Sequence, residues 1–439
     1  MINKTRYIDT LILGAGMAGL GAGIEAQRYG LNSLILEAAS EPGGLCRNTT
    51  LHGCDFDFGP KILILDKSEN STDILSFLED NYDKYDLIES TYLKQYGLVG
   101  FPLQRNLVDL SPSDRQKTLA DMKKAQQNPK AVKTYKDWLI NNYGEFFCEK
   151  VLIPYEEKKW QISLDKLDYK WALTRPVKVD VNEVIEGSKH KLPPNRMYYY
   201  PKQGNISNLT VAMAKSAGET IYNSKADHIN MKEKYVLSGD SKYYFKNLVS
   251  TIPLDYSVKI TKGISDVTRQ VASSMLKHLS IRVFNLVYKG NFKLDGSAIY
   301  FPESDLIFRR ISVLQNLCPA LAREGYTPIS IEVSLNKTST QISEQDHYDT
   351  VLKDLVKIPQ FAQMGVPVAH EMLEIVEAYP IQKDGLRLFV ANVHAEYETY
   401  GIFHCGRGGS FDYCNSDTAY SQGKTAIRQI VEMSKAISM

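Results

Sequence analysis

Three glycines carry the first chemistry in this chain. Gly14, Gly16 and Gly19 form a GxGxxG run directly after the apolar stretch Tyr7–Leu13. Glu37 stands about 20 residues further on, the spacing expected of a dinucleotide site. In that pattern the first glycine permits a tight turn. The second keeps a side chain out of the path of a pyrophosphate, and the third lets a helix pack close to its strand. Met17 and Ala18 lie inside the same phosphate-facing turn, whose helix N-terminus favours negative charge. Glu37, followed by Ala38, would accept hydrogen bonds from ribose hydroxyls, which argues against a 2′-phosphate. A second cluster, Gly43-Gly44-Leu45-Cys46-Arg47, adds backbone N–H groups and a cation, more than a nicotinamide site needs. It suits a longer diphosphate cofactor such as FAD.

The elements that must hold these residues are legible nearby. Tyr7–Leu13 reads as a buried parallel strand, Leu20–Tyr29 as a helix closed by Gly30, and Ser33–Glu37 as a second strand. Together they make one βαβ unit. Asp73–Leu87 and Pro112–Ala125 have helical patterns, and Thr134 with Asp137 forms a capping box ahead of a stop at Gly144. The stretch from about 110 to 180 is therefore expected to be helical. From about 195 to 385, alternating runs such as Met197–Pro201, Ile281–Val287 and Ile329–Ser334 predict a largely antiparallel sheet. Asp417–Ile437 has apolar residues at helical spacing, and Lys189–Asn195 is expected to be a mobile loop.

Composition limits the alternatives. The chain has 439 residues, with 52 basic residues against 51 acidic ones. That balance provides no bulk attraction for nucleic acid or an anionic membrane. The six cysteines never form a CxxC pair, and the eight histidines show no HExxH spacing, so no metal site is expected. No uncharged apolar run approaches the ~18 residues of a membrane span, and the expected address is the cytoplasm.

The two glycine motifs together resemble the FAD-binding superfamily that includes amine oxidases, phytoene desaturases and UDP-galactopyranose mutases. Further segments resemble the mutases. These are Phe101-Pro-Leu-Gln-Arg-Asn106, Ile153-Pro-Tyr-Glu-Glu-Lys-Lys-Trp160, Trp171-Ala-Leu-Thr-Arg175, Leu248-Val-Ser-Thr-Ile-Pro253, Phe308-Arg-Arg-Ile-Ser312 and Gly406-Arg-Gly-Gly-Ser-Phe-Asp-Tyr413. The resemblance spans most of the chain. It implies an α/β fold with a discontinuous Rossmann-type FAD-binding domain (1–90, 200–270 and 385–439). A helical domain (105–185) would be inserted in it, beside an antiparallel-sheet substrate domain (186–200 with 271–384).

It also implies a redox-neutral mutase that interconverts pyranose and furanose forms of UDP-galactose or a related nucleotide sugar. The nucleophile in that family is N5 of reduced FAD, primed by a reductant such as NAD(P)H. Arg175 and Arg310 would grip the diphosphate, with Arg309 the competitor for Arg310, and Tyr413 would assist. Trp160 would wall the sugar, Tyr155 and Gln104 would face the uridine beside Phe101, and Asn195 would reach the substrate from its loop. Arg407 and the helix near Asp417 would contact the flavin. Three departures stand out: Lys61 replaces the family's histidine, Glu156 an asparagine, and Phe101 a tyrosine. The alternative is an FAD-dependent oxidase or dehydrogenase of the amine oxidase or desaturase type. Oligomeric state is not legible in the sequence.

Overall fold

A computed structural model describes residues 4–65, 68–174, 180–336 and 339–438. The βαβ unit forms as expected: strand β1 (Lys4–Leu13), helix α1 (Met17–Arg28) and strand β2 (Ser33–Leu36). Leu11, Ile12, Leu34 and Ile35 are fully buried, which is why this stretch reads as continuous rather than alternating apolar residues. β1 pairs in parallel with β2 on one side and with Ser241–Ser250 on the other. The complete sheet has eight strands, including Glu219–Ile221, His228–Asn230 and Tyr235–Ser238. Local alternation alone places the runs from about 195 to 385 in one largely antiparallel sheet, whereas these three strands belong to the first sheet. Alternation reports a buried face but not which sheet owns it. The C-terminal helix, Ser416–Ser438, packs against α1.

The second sheet has seven strands in the order Ala369–Pro380, His278–Lys289, Tyr326–Leu335, Arg310–Val313, Ala298–Tyr300, Glu89–Leu93, Gly97–Gly100. Its pairs are antiparallel except Ala298–Tyr300 with Glu89–Leu93. Register sets Arg310 directly opposite Glu332. Helices Pro112–Gln127, Tyr135–Tyr143, Ile153–Trp160 and Val181–Gly187 surround a separate core that holds Trp138, Tyr143, Trp160 and Trp171. The Thr134–Asp137 capping box is present, and Gly144 ends that helix at φ 80°.

The helix expected over Asp73–Leu87 is shorter and shifted. It spans Glu69–Ser76, and Glu79 at φ 52° turns the chain out of it. Asp83–Asp86 then pairs antiparallel with Met197–Tyr200, a strand expected in the large sheet. Tyrosines explain the swap. Tyr85 stacks on Tyr198 at 5.5 Å, while Tyr198 and Tyr200 are buried in the core beneath α1.

Two glycines of the opening motif do different work. A Cβ on Gly19 would lie 1.8 Å from the Gly14 carbonyl oxygen, whereas one on Gly16 would meet nothing nearer than the Gly44 Cα at 3.9 Å. Gly19→Ala should therefore cost about 1–3 kcal/mol of stability through overpacking. Gly16→Ala should cost less than about 1 kcal/mol, the loss of a glycine at the helix N-cap. Chemical denaturation checks the order, and the reverse order would contradict it.

Candidate active site

A cavity of about 680 Å³ runs from the first sheet to the edge of the second. At one end, Gly14 turns at φ 97° and its N–H donates to the Leu36 carbonyl. This brings the start of α1 beside the end of β2. The Glu37 carboxylate accepts from the Ala15 N–H at 2.5 Å and from the Ala39 N–H at 2.8 Å. Each carboxylate oxygen keeps acceptor capacity, and Glu37 lines the wall with Ala38. Gly14, Gly16, Met17 and Ala18 form the adjoining floor, facing Gly43, Gly44, Leu45 and Arg47. The Gly43 N–H donates to the Ala15 carbonyl at 2.8 Å and holds the two glycine segments together. Gly19 is not on the wall, because its work is helix packing.

At the other end the lining includes Lys61, Arg310, Tyr379, Arg407 and Tyr413. Arg309 and Arg310 both donate to Glu332, which is 1% exposed. Burial pushes the Glu332 carboxyl up, but the two guanidiniums outweigh it and hold it down at about 2. One carboxylate thus serves two cations, and the Nε atoms of Arg309 and Arg310 are buried without a hydrogen-bond partner among the described residues. Tyr379 accepts from Arg309 at 3.2 Å. Burial would raise its phenol, yet Arg309, Arg310 and Arg407 together bring it down to about 8.

Three further cations of the wall are tied to backbone carbonyls. Arg47 donates to Gly44, Lys61 to Phe58 and Gly59, and Arg407 to Cys414 and Ala378. None of the three makes an ion pair with a carboxylate among the described residues. Burial pushes the Lys61 ammonium down from the usual lysine value.

An aromatic box closes this end. Tyr413 sits edge-on to Tyr379 at 5.0 Å and to Trp160 at 5.9 Å, with Trp171 at 6.1 Å. The Lys159 ammonium lies over Trp160 at 5.2 Å and pairs with Glu156 at 3.3 Å. Glu156 also accepts from Trp160 Nε1. Trp160 is therefore packed within the box rather than on the cavity wall.

The remaining expected residues among those described lie off the wall. Tyr155 sits edge-on to Tyr300 at 5.6 Å, and Phe101 packs on Tyr300 at 4.4 Å. Burial holds the Tyr155 phenol well up, with Arg309 and Arg310 opposing. Gln104 is buried in the short helix Leu103–Arg105, and Asn195 is exposed in its loop. The C-terminal helix begins at Ser416, so Asn415 and Ser416 meet the cavity and Asp417 does not. Arg175 lies outside the described residues.

Glu332, Tyr379 and Lys159 were not singled out from the sequence. Only Glu332 had a signal, a lone carboxylate inside the run Ile329–Ser334. Among the described residues no cluster of metal-ligating side chains forms, and no helix is long and apolar enough to cross a membrane.

Residues 12–78 match the family description of an NAD(P)-binding Rossmann-like domain. Hydroxyneurosporene desaturase of Rhodobacter capsulatus is 40% identical over 57 residues, which span 13% of this chain and 12% of that protein. Whole-chain similarity is to solved structures. A reduced UDP-galactopyranose mutase superposes with a TM-score of 0.88 at 20% identity, covering 97% of this chain and 96% of that one. A putative protoporphyrinogen oxidase from an Exiguobacterium species gives 0.76 at 16% identity, covering 98% and 99%. Putrescine oxidase bound to putrescine gives 0.64 at 15% identity, covering 98% and 100%. The chain thus has the fold these enzymes share, a Rossmann-type domain joined to a sheet domain and a helical insertion. The resemblance read in its motifs is matched by its fold.

The Arg309–Glu332–Arg310 group yields a pH prediction. The Glu332 carboxyl sits below its unfolded value, so its stabilisation is complete above about pH 4.5 and is lost as pH falls toward 2. Glu332→Gln should cost about 3–5 kcal/mol at pH 7, the range for breaking a buried ion pair. The gap from wild type should narrow on acidification. A constant gap in denaturation midpoints from pH 7 to pH 3 would contradict this.

Proposed function

We propose that this protein is a flavin-dependent enzyme that binds FAD along the cavity and acts on a nucleotide sugar, interconverting its pyranose and furanose forms. The observation that carries this reading is the surplus of positive charge at one end. Arg309 and Arg310 share a single carboxylate, and Lys61 and Arg407 make no ion pair with one among the described residues. Buried cations without counterions are costly, and an anionic ligand that supplies the missing charge offsets that cost.

The residues present fit the cofactor. Open space over Gly16 leaves room for a pyrophosphate at the start of α1, where unpaired N–H groups attract anions. Glu37 has acceptor capacity for ribose hydroxyls, and Arg47 supplies a cation on the opposite wall. Arg407 and the start of the C-terminal helix put positive charge at the far end, which favours an anionic reduced flavin. When bound, the flavin would supply the nucleophile for the anomeric carbon and return unchanged in redox state, after priming by a donor such as NAD(P)H.

The chain's own task is to hold the nucleotide while the glycosidic bond opens and recloses. Arg310 and Tyr413 would bind the diphosphate, since guanidinium is always cationic and bidentate toward phosphate. Arg175 is assigned the same task on its sequence motif. Tyr155, Phe101 and Gln104 would receive the uridine, Trp160 would back the sugar, and Asn195 would close from its loop. An oxidase for an apolar amine or isoprenoid would have no use for converging cations. A cytoplasmic address belongs to this reading.

Reduction with dithionite followed by titration with UDP tests it. Retained FAD, a UDP-dependent change in the flavin spectrum and ring-contracted product from a UDP-hexopyranose are expected. Arg310→Ala should weaken UDP binding by about 1.5–3 kcal/mol, the worth of a charged hydrogen bond. Steady peroxide production from an amine, with no UDP binding, would overturn it.

A further inference from the structure

Lys61 is held in an arrangement that calls for a charged ligand. Its ammonium donates to the Phe58 carbonyl at 2.7 Å and to the Gly59 carbonyl at 2.9 Å. A lysine ammonium has three donors, so one remains. Two carboxylates lie close by, and neither pairs with it. Asp57 accepts from the Tyr200 hydroxyl and from the Lys61 backbone N–H instead. Glu332, whose Oε1 would be 3.5 Å from a Cβ built on Gly59, is taken by Arg309 and Arg310. The tether to two carbonyls fixes where the charge sits, and carbonyl acceptors favour the protonated form against the burial that pushes it down.

This cation lines the cavity with Arg407 and Tyr379, at the end opposite Glu37. A dinucleotide whose ribose meets Glu37 and whose pyrophosphate crosses Gly16 would bring its redox-active ring toward that end. We propose that Lys61 is a positioning residue for charge: it biases bound FAD toward the anionic reduced form, acting as a fixed ammonium clamped by the Phe58 and Gly59 carbonyls. The relevant couple takes up two electrons and one proton and leaves one negative charge on the ring. A fixed positive charge nearby stabilises the product of that reduction and not its neutral precursor. The inference rests on the flavin reading above. It adds that this chain holds its cofactor reduced by electrostatics built into the loop Asp57–Lys61.

The test is the two-electron midpoint potential of the FAD-loaded protein, measured by dithionite titration against a reference dye. Lys61→Gln retains hydrogen-bond donors for the two carbonyls but carries no charge, and Lys61→Met removes both. Each should lose at least tenfold of the preference for reduced flavin, a fall of about 30 mV for a two-electron couple. If Lys61→Met does not fold, Lys61→Gln decides the matter alone. A clamp that is only structural predicts a wild-type potential in Lys61→Gln, and that result overturns the inference. Wild-type protein that retains no FAD would instead remove the flavin reading itself, so the two failures are distinguishable.

Discussion

One buried carboxylate between two buried guanidiniums organises the functional end of this molecule. Glu332 sits on a central strand of the second sheet, and register brings Arg310 directly across from it while Arg309 reaches it from the preceding residue. Removing ions from water is expensive, and that cost is offset only when the partners and hydrogen bonds are complete. Here they are incomplete by one charge. The same surplus pulls the Tyr379 phenol down to about 8, which still leaves it mostly neutral at pH 7. A ligand bearing negative charge would offset that surplus.

The rest of the site follows from placing this charge where two domains meet. The Rossmann-type sheet ends its parallel strands at the cavity, so the glycine turns, Glu37 and the start of α1 all face the same space. The second sheet contributes Arg310 and Tyr379 from separate strands. The helical unit contributes Lys159 and Trp160, and the segment before the last helix contributes Arg407 and Tyr413. No single element could hold both a dinucleotide cradle and a cationic aromatic box. Backbone carbonyls, rather than carboxylates, position Arg47, Lys61 and Arg407, and this leaves their charges available to a ligand.

The dinucleotide half was readable because its physics is local. Strand, glycine turn, helix and acid occur within forty residues, and Gly14 and Gly19 each have a steric reason to be there. The capping box at Thr134 was readable for the same reason. The other half depends on contacts between separate elements, such as Arg310 with Glu332, Arg309 with Tyr379 and Trp160 with Tyr413. Nothing near Tyr379 or Lys159 announces that they converge on Tyr413, and alternation could not assign Glu219–Ile221 or Met197–Tyr200 to their sheets. Glu332 is the intermediate case: a charge in an apolar strand signals a buried partner without naming it. Trp160 and Tyr155 were identified through motif resemblance, and tertiary packing sets them behind the wall rather than on it.

On the proposed function, an unbalanced positive charge rather than an apolar surface receives the substrate. Calorimetric titration of the reduced, FAD-loaded protein with UDP and with uridine tests it most directly, because the two ligands share a base and ribose and differ only in the diphosphate. UDP should bind at least 100-fold more tightly, a gap of about 2.7 kcal/mol. Equal affinities, or uridine binding without UDP binding, would contradict the account.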